Sequence, residues 1–155
     1  MAATVAGMEL FARAGHKHVM RGWSWHRSHH ESGTGWFERN DLYAVVFAGM
    51  AIALIVVRNS ATAQTAAGLG AALLQWASAG MTLYGFLYFA AHDGLVHKRW
   101  QLRWVPRSGY LKRLYRAHRL HHAIKGCDGC VSFGVLWAPS PAALKRQLQA
   151  KRLFD

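Results

Sequence analysis

Uncharged residues are concentrated in two long blocks of the chain. The first block, Leu42–Val57, has sixteen residues without a charge, and the second extends from Ser60 to His92, most apolar between Leu69 and Ala91. As a helix at about 1.5 Å per residue, the first reaches roughly 24 Å, and the second can cross a hydrocarbon core of about 30 Å with tilt. The pattern therefore predicts two spanning helices that form a hairpin around Arg58.

Basic residues lie almost entirely outside these blocks. Five precede the first block, from Arg13 to Arg39, and eight follow the second between Lys98 and Arg119. Because basic loops stay on the cytoplasmic side, both ends of the hairpin are expected in the cytoplasm. A net charge of +12 also suits nucleic-acid binding, but no known binding motif accompanies it, so no nucleic-acid partner is expected.

Two terminal segments have weaker patterns. Ala2–Ala14 is mildly apolar, too short to span and interrupted by Glu9, which predicts either a helix partly in the membrane interface or a shortened spanning helix. Pro141–Phe154 has helical spacing and several basic residues, which predicts a surface helix in solvent or on anionic lipid. The fold expected for residues 1–155 is one all-α, integral membrane domain.

Histidine is the unusual residue type, with ten in 155 residues. Nine fall into four groups, of which two have the spacing H-x-x-H-H and one has H-x-x-x-x-H: His16; His26, His29 and His30; His92 and His97; His118, His121 and His122. Positions i, i+3 and i+4 share one face of a helix, so each H-x-x-H-H directs three imidazoles to one region. All four groups lie at the expected cytoplasmic side, which predicts a metal site there.

His92 and His97 are about 140° apart around an ideal helix and cannot both face one ion from a straight one. Gly94 offers a place for the helix to end or kink, which would leave His92 on the helix and His97 beyond it. Eight or more imidazoles exceed the four ligands of a zinc ion, so two ions are expected. Imidazole suits iron, zinc, copper and nickel alike, and the spacing does not choose among them. Cys127 and Cys130 form a single C-x-x-C, for which two thiols are the simplest interpretation.

The residues around the histidines carry a more specific signal. Four stretches are similar to bacterial beta-carotene 3-hydroxylases, members of the fatty-acid hydroxylase superfamily of membrane di-iron enzymes: HKHVMRGWSWHRSHHE, NDLYAVVFA, TLYGFLYFAAHDGLVHKRW and YLKRLYRAHRLHHA with CVSFGVLWAP. The resemblance covers about Met8 to Ala150. It implies two non-haem iron ions, O₂ as co-substrate and electrons from a ferredoxin or similar reductase. The implied substrate is a carotenoid within the membrane lipid, hydroxylated at carbon 3 of each beta-ionone ring to give cryptoxanthin and then zeaxanthin.

Carried over by position, the resemblance implies nine iron ligands: His16, His26, His29, His30, His92, His97, His118, His121 and His122. Glu31 and Asp93 each adjoin one of these histidines and are candidates to accept a hydrogen bond from its ring, with helix capping or solvent exposure as the alternatives. An aromatic run in the second uncharged block, Tyr84, Phe86, Tyr88 and Phe89, is a candidate substrate path, although packing is the commoner use of such a run.

One position departs from the family pattern. Where the family has H-x-x-x-x-H in its first motif, this chain reads HKHVMR, with Arg21 in place of the second histidine. Arginine stays protonated and has no lone pair to donate. His18 is only two residues from His16 and is expected to point to another helix face. Arg21 is the main support for one alternative, an impaired relative that binds metal or carotenoid. Two others are a hydroxylase or desaturase of another lipid, which would share the histidine pattern, and a metal transporter, which would favour polar residues inside the spans.

Overall fold

In a computed structural model of the chain, the structure describes residues 1–19, 39, 41–60, 68–100, 104–124 and 130–152. The regular structure of these residues is entirely helical, as the sequence predicted. Five α-helices and two π-helical segments follow one another: α1 (Ala2–Ala14), π1 (Gly15–Val19), α2 (Asp41–Asn59), α3 (Leu69–Tyr88), π2 (Phe89–Val96), α4 (Gly109–His121) and α5 (Pro141–Arg152).

Helix α2 is apolar on every side. Among the described residues it is the one helix long and apolar enough to cross a membrane, with a mean hydropathy of 2.0 over its best stretch. Only 6% of that stretch is buried inside the protein. Val46, Ile52 and Val56 each expose more than half of their surface. Water disfavours such a surface and lipid does not, so its exposure is compatible with the predicted membrane location.

Helix α3, the second expected span, is uncharged over twenty residues. Its mean hydropathy is nevertheless lower than that of α2, and it is not apolar enough to count as a helix that could cross a membrane. Its glycines and polar side chains lower its hydropathy. Ser78 donates its hydroxyl to the Gln75 carbonyl at 3.0 Å, and Thr82 donates to the Ser78 carbonyl at 2.9 Å. Because these hydroxyls are satisfied within the helix, they do not need water.

Helices α2 and α3 pack against each other as the expected hairpin. Arg99, which follows π2, holds both carboxylate oxygens of Asp41 at 2.8 and 2.9 Å, in a half-buried ion pair. Asp41 begins α2, whereas Arg99 follows the end of the α3–π2 helix. The ion pair therefore brings the two ends of the hairpin to one level, which requires that the helices be antiparallel.

Helix α1 runs alongside α3 in the same direction. Thr4 donates to the Trp76 carbonyl at 3.4 Å, and Tyr84 donates to the Glu9 carboxylate at 2.9 Å, so later residues of α1 meet later residues of α3. Gly80 permits this contact, because a Cβ there would collide with the Thr4 side chain. Helix α1 therefore packs along α3, against the hairpin.

A compact hydrophobic core lies beyond the hairpin, between α4, α5 and the segment that joins them. Its buried side chains are Leu114, Ala117, Val131, Ala138, Leu144 and Leu148. The predicted C-terminal helix is therefore present as α5, and its apolar side is used inside the protein. Ala91 of π2 packs on the same core, so the core fixes α4 against the end of the hairpin.

Candidate metal centre

The π2 segment explains how His92 and His97 reach one site. The His97 amide donates to the His92 carbonyl at 2.9 Å, a bond between residues five apart that widens the helix. The two imidazole rings consequently lie 4.5 Å apart, centroid to centroid. His97 caps the end of π2, so it lies just beyond the helix as expected, but by widening of the helix rather than by a kink. Gly94 serves close packing instead, because a Cβ there would lie 2.8 Å from the Trp100 ring.

Helix α4, with the residue that caps its C-terminus, presents three histidines to the same place. Nitrogen atoms of His92, His97 and His118 all lie within 4.8 Å of one another. The Nε2 atoms of His118 and His122 are 3.0 Å apart. Imidazole nitrogens bind a metal at about 2.0–2.1 Å, so two of them on one ion are at most about 4.2 Å apart. The donor set fits a metal ion after shifts of a few tenths of an ångström.

His16 joins the cluster from the other side, through His121. Their rings are 4.7 Å apart, and both rings contact the Phe133 ring at 5.7 and 5.6 Å. His121 is fully buried and lies 5.3 Å from the His122 ring. The described part of the chain thus brings together six of the nine histidines singled out in the sequence, from three separate segments: His16, His92, His97, His118, His121 and His122.

Two neighbouring groups fix the protons of buried histidines. Asp93 accepts a hydrogen bond from His92 Nδ1 at 2.6 Å, and the Val131 carbonyl accepts one from His121 Nδ1 at 2.9 Å. Since a carboxylate and a carbonyl only accept, each imidazole carries its proton on Nδ1 and its lone pair on Nε2. A metal needs that lone pair, and such partners also hold the ring in place.

Electrostatics favour the neutral form of the central imidazole. Burial lowers the pKa of His118 well below its usual value, and the neighbouring His92, His121, His122 and His97 lower the pKa further. His118 is therefore unprotonated at neutral pH. An imidazole must be unprotonated to bind a metal. Burial of His118 therefore favours its use as a metal ligand.

Several residues singled out in the sequence lie outside the described residues: Arg21, His26, His29, His30 and Glu31. The tenth histidine, His18, is exposed although it is two residues from His16. The two neighbours thus point in different directions, as their spacing indicated.

Glu9 has a structural role that the sequence reasoning missed. Its buried carboxylate accepts hydrogen bonds from the Tyr84 hydroxyl and from the backbone amides of Val135, Leu136 and Trp137, at 2.9–3.4 Å. These bonds tie α1 to α3 and to the segment that carries Val131 and Phe133. A carboxylate in an apolar helix destabilises the fold unless it has hydrogen-bond partners. The presence of Glu9 in such a helix was therefore the sequence signal that could have predicted these bonds. Nothing in the sequence pattern marked Val131 or Phe133.

A cavity of about 530 Å³ lies between α1, α2 and α3 and reaches the histidine cluster at one end. His16, Asp93 and Phe133 line that end, whereas the rest of the wall is almost wholly apolar. The aromatic run singled out in the second uncharged block contributes all four of its side chains to this wall: Tyr84, Phe86, Tyr88 and Phe89.

Comparisons with known proteins agree with the sequence resemblance. The beta-carotene hydroxylase of Pantoea ananas is 54% identical over 96% of this chain and 81% of its own length. That of a Paracoccus species is 49% identical over 95% of this chain and 87% of its own length. The chloroplastic beta-carotene 3-hydroxylase of Haematococcus lacustris is 39% identical over 86% of this chain and 40% of its own, longer sequence.

Neither a family model nor a solved structure matches the chain. The bacterial relatives match nearly from end to end, and the matched length includes all ten histidines and the elements that bring six of them together. By identity, coverage and the chemistry of its buried histidines, the chain belongs to the beta-carotene hydroxylase family.

Proposed function

We propose that this protein hydroxylates carbon 3 of the beta-ionone rings of carotenoids with O₂, converting beta-carotene to cryptoxanthin and then zeaxanthin. The observation that carries the proposal is the cluster of six histidines, three of them buried, in a chain that is 54% identical to a beta-carotene hydroxylase. The C–H bond at carbon 3 of the ring has no activating group beside it and resists acid–base chemistry. A redox metal therefore has to supply the oxidant.

We propose two non-haem iron ions as that metal. Neutral imidazole suits iron, and a donor set this large exceeds the needs of one ion. When bound, iron supplies the activation of O₂. The ligands proposed are the six clustered histidines together with three from the H-x-x-H-H motif of residues 26–30: His16, His92, His97, His118, His121, His122, His26, His29 and His30.

The protein's own groups hold these ligands in place. Asp93 and the Val131 carbonyl keep His92 and His121 in the tautomer that presents Nε2 to a metal. Tyr88 stacks on the His92 ring at 4.6 Å and limits its rotation. Glu31, next to His30 in the sequence, is proposed to play a part similar to that of Asp93.

The surroundings suit a carotenoid substrate and a water-soluble electron donor, which we propose to be a ferredoxin or similar reductase. The apolar, exposed α2 supports an integral location in the inner membrane, where carotene dissolves. Helix α4 carries His118 on its buried side and Arg113, Arg116 and Arg119 on its exposed side. An acidic donor on these arginines would lie about 10 Å, one helix diameter, from the metal site. A cytoplasmic orientation follows from the basic residues.

Expression in a bacterium that accumulates beta-carotene, followed by pigment analysis, tests the activity. Wild type should yield cryptoxanthin and zeaxanthin, and protein purified anaerobically should hold about two irons per chain. His118→Ala should lose most of the iron and all product, because it removes the central ligand. His18→Ala is the matched control and should change neither, because His18 is exposed. Unchanged carotene with wild type, or full activity in His118→Ala, would overturn the proposal.

A catalytically silent relative is the second candidate, and Arg21 favours it. If Arg21 occupies a ligand position, this chain binds metal and carotenoid without turnover. Iron-loaded wild type that leaves carotene unchanged in the pigment experiment would establish this alternative.

A further inference from the structure

The cavity beside the histidine cluster extends along helix α2. Along α2 its wall extends from Tyr43 to Ile55, twelve residue steps or roughly 18 Å of helix. Asp93 and His16 mark the end at the cluster, and Met81 and Ile55 mark the far end. The antiparallel hairpin therefore directs the cavity along the helix axes, away from the metal centre and into the apolar part of the protein.

The cavity also has an opening between helices. Phe86 and Phe89 line it and yet expose 66% and 48% of their surface, so they lie at its rim. The neighbouring surface of α2 is apolar and exposed, including Ile52. A molecule dissolved in lipid can reach this opening without entering water, whereas a polar substrate would have to lose its hydration on an apolar wall.

The size of the cavity suits part of a carotenoid. Its volume of about 530 Å³ lies within the roughly 300–1,000 Å³ typical of ligand-binding cavities, and its apolar wall suits a hydrocarbon ring. Because the cavity is open to an apolar surface, any part of the molecule that extends beyond it would lie in lipid.

We propose that this cavity binds one end ring and the adjoining polyene of the carotenoid lengthwise, with the ring at the end formed by His16 and Asp93. The assignment rests on the proposed function and adds to it the location of the substrate. Ala48 on α2 and Gly85 on α3 are one to two helical turns deeper than Tyr43 and Asp93. The methyl group of Ala48 and the absence of a side chain at Gly85 leave space in the middle of the cavity for a flat polyene.

Filling the middle of the cavity tests the proposal. A Cβ at Gly85 meets nothing within 4 Å, so a side chain there extends into open space rather than into a neighbour. Ala48→Phe and Gly85→Leu should each lower retention of beta-carotene by purified full-length protein, read from its visible absorption, roughly tenfold or more. Zeaxanthin yield in cells should fall in parallel, whereas iron content and thermal unfolding should match wild type.

Ala53→Phe is the matched control, because it makes the same substitution on an exposed position of α2 outside the cavity. It should retain carotene as wild type does. Ala48→Phe and Gly85→Leu change different helices. If one of these variants does not fold, the other still tests the proposal.

Wild-type retention and turnover in the folded variants would overturn the cavity assignment. So would a loss of co-purifying phospholipid chains with carotene turnover unchanged, because the cavity would then be a lipid site. An equal loss in Ala53→Phe would also overturn it. Wild type that retains carotene in a cavity-dependent manner and makes no hydroxylated product would contradict the proposed function alone.

Discussion

For single residues, the position of the imidazole proton decides whether a buried histidine can bind a metal. His92 and His121 illustrate two ways to set it, one with a carboxylate and one with a backbone carbonyl. A carboxylate makes the stronger hydrogen bond because it is charged. His92 should therefore depend more on its partner side chain than any other described histidine does.

Asp93→Asn tests that dependence. The variant replaces a charged acceptor with a neutral amide, so His92 loses part of its orientation and basicity. Iron affinity should fall about 10–100-fold, the usual cost of losing such a partner, measured by competition with a chelator. Asp41→Asn is the control, since it removes a carboxylate that pairs with Arg99 rather than with His92 and should leave iron affinity unchanged. Equal affinity in Asp93→Asn and wild type would contradict this role.

Arg21 is the residue at which the family motif breaks. Replacing it with histidine adds a neutral donor and removes a positive charge that would repel metal cations. Arg21→His should therefore raise both iron content and hydroxylase activity, measured as iron per chain and zeaxanthin yield. Equal values in the variant and wild type would mean that the nine remaining histidines suffice.

Among the elements, the joint between α1, α3 and the segment before α5 is the least expected feature. Glu9 joins all three through four hydrogen bonds, and Gly134 makes room for it, because a Cβ there would collide with its carboxylate. The same segment carries Val131 and Phe133, which contact His121. The position of α1 is thereby linked to the orientation of a proposed ligand.

Glu9→Gln should weaken this joint. The amide nitrogen is a donor and would face amide and hydroxyl donors, and hydrogen bonds to a charged group contribute about 1.5–3 kcal/mol each. The free energy of unfolding should drop by roughly 2 kcal/mol or more, measured by denaturant titration in detergent. Thr4→Val, which removes one long hydrogen bond from the same helix, should cost less. A smaller loss in Glu9→Gln than in Thr4→Val would show that Glu9 is dispensable.

For the molecule as a whole, the ion pair between Asp41 and Arg99 brings both ends of the hairpin to the level of the histidine cluster. The opposite end, at Asn59 and Ser60, lies a full helix length away. If α2 and α3 cross the membrane, the histidine cluster and the basic helix α4 lie on one side of the membrane. Ser60 then lies on the opposite side.

Cysteine labelling tests that topology. With Cys127 and Cys130 replaced, single cysteines are introduced as Ser60→Cys and Ser108→Cys, both at exposed positions. An impermeant thiol reagent applied to intact cells should label the first and not the second, because the positive-inside rule places α4 in the cytoplasm. Labelling of both after cell disruption is the control. The reverse pattern in intact cells would separate the metal site from a cytoplasmic electron donor.

The sequence by itself determined the helical class, the bounds of α2 within a residue or two, and which residue type forms the candidate site. Uncharged runs report helix length directly, and the spacing of His118, His121 and His122 puts all three on one helix face without any tertiary information. The residues between the histidines identified the family by resemblance. The sequence identity to known beta-carotene hydroxylases and the share of the chain that it covers then showed that membership.

Only the tertiary structure decided how His92 and His97 share a site, because the sequence pattern assumes an α-helical period and π2 departs from it. It also decided that α1 lies along α3 and that Glu9 is buried. Pairing of His16 with His121, and of His121 with the Val131 carbonyl, joins residues 105 and 10 positions apart through packing. Local patterns report which face a side chain occupies, whereas its partner across the fold depends on how separate elements pack.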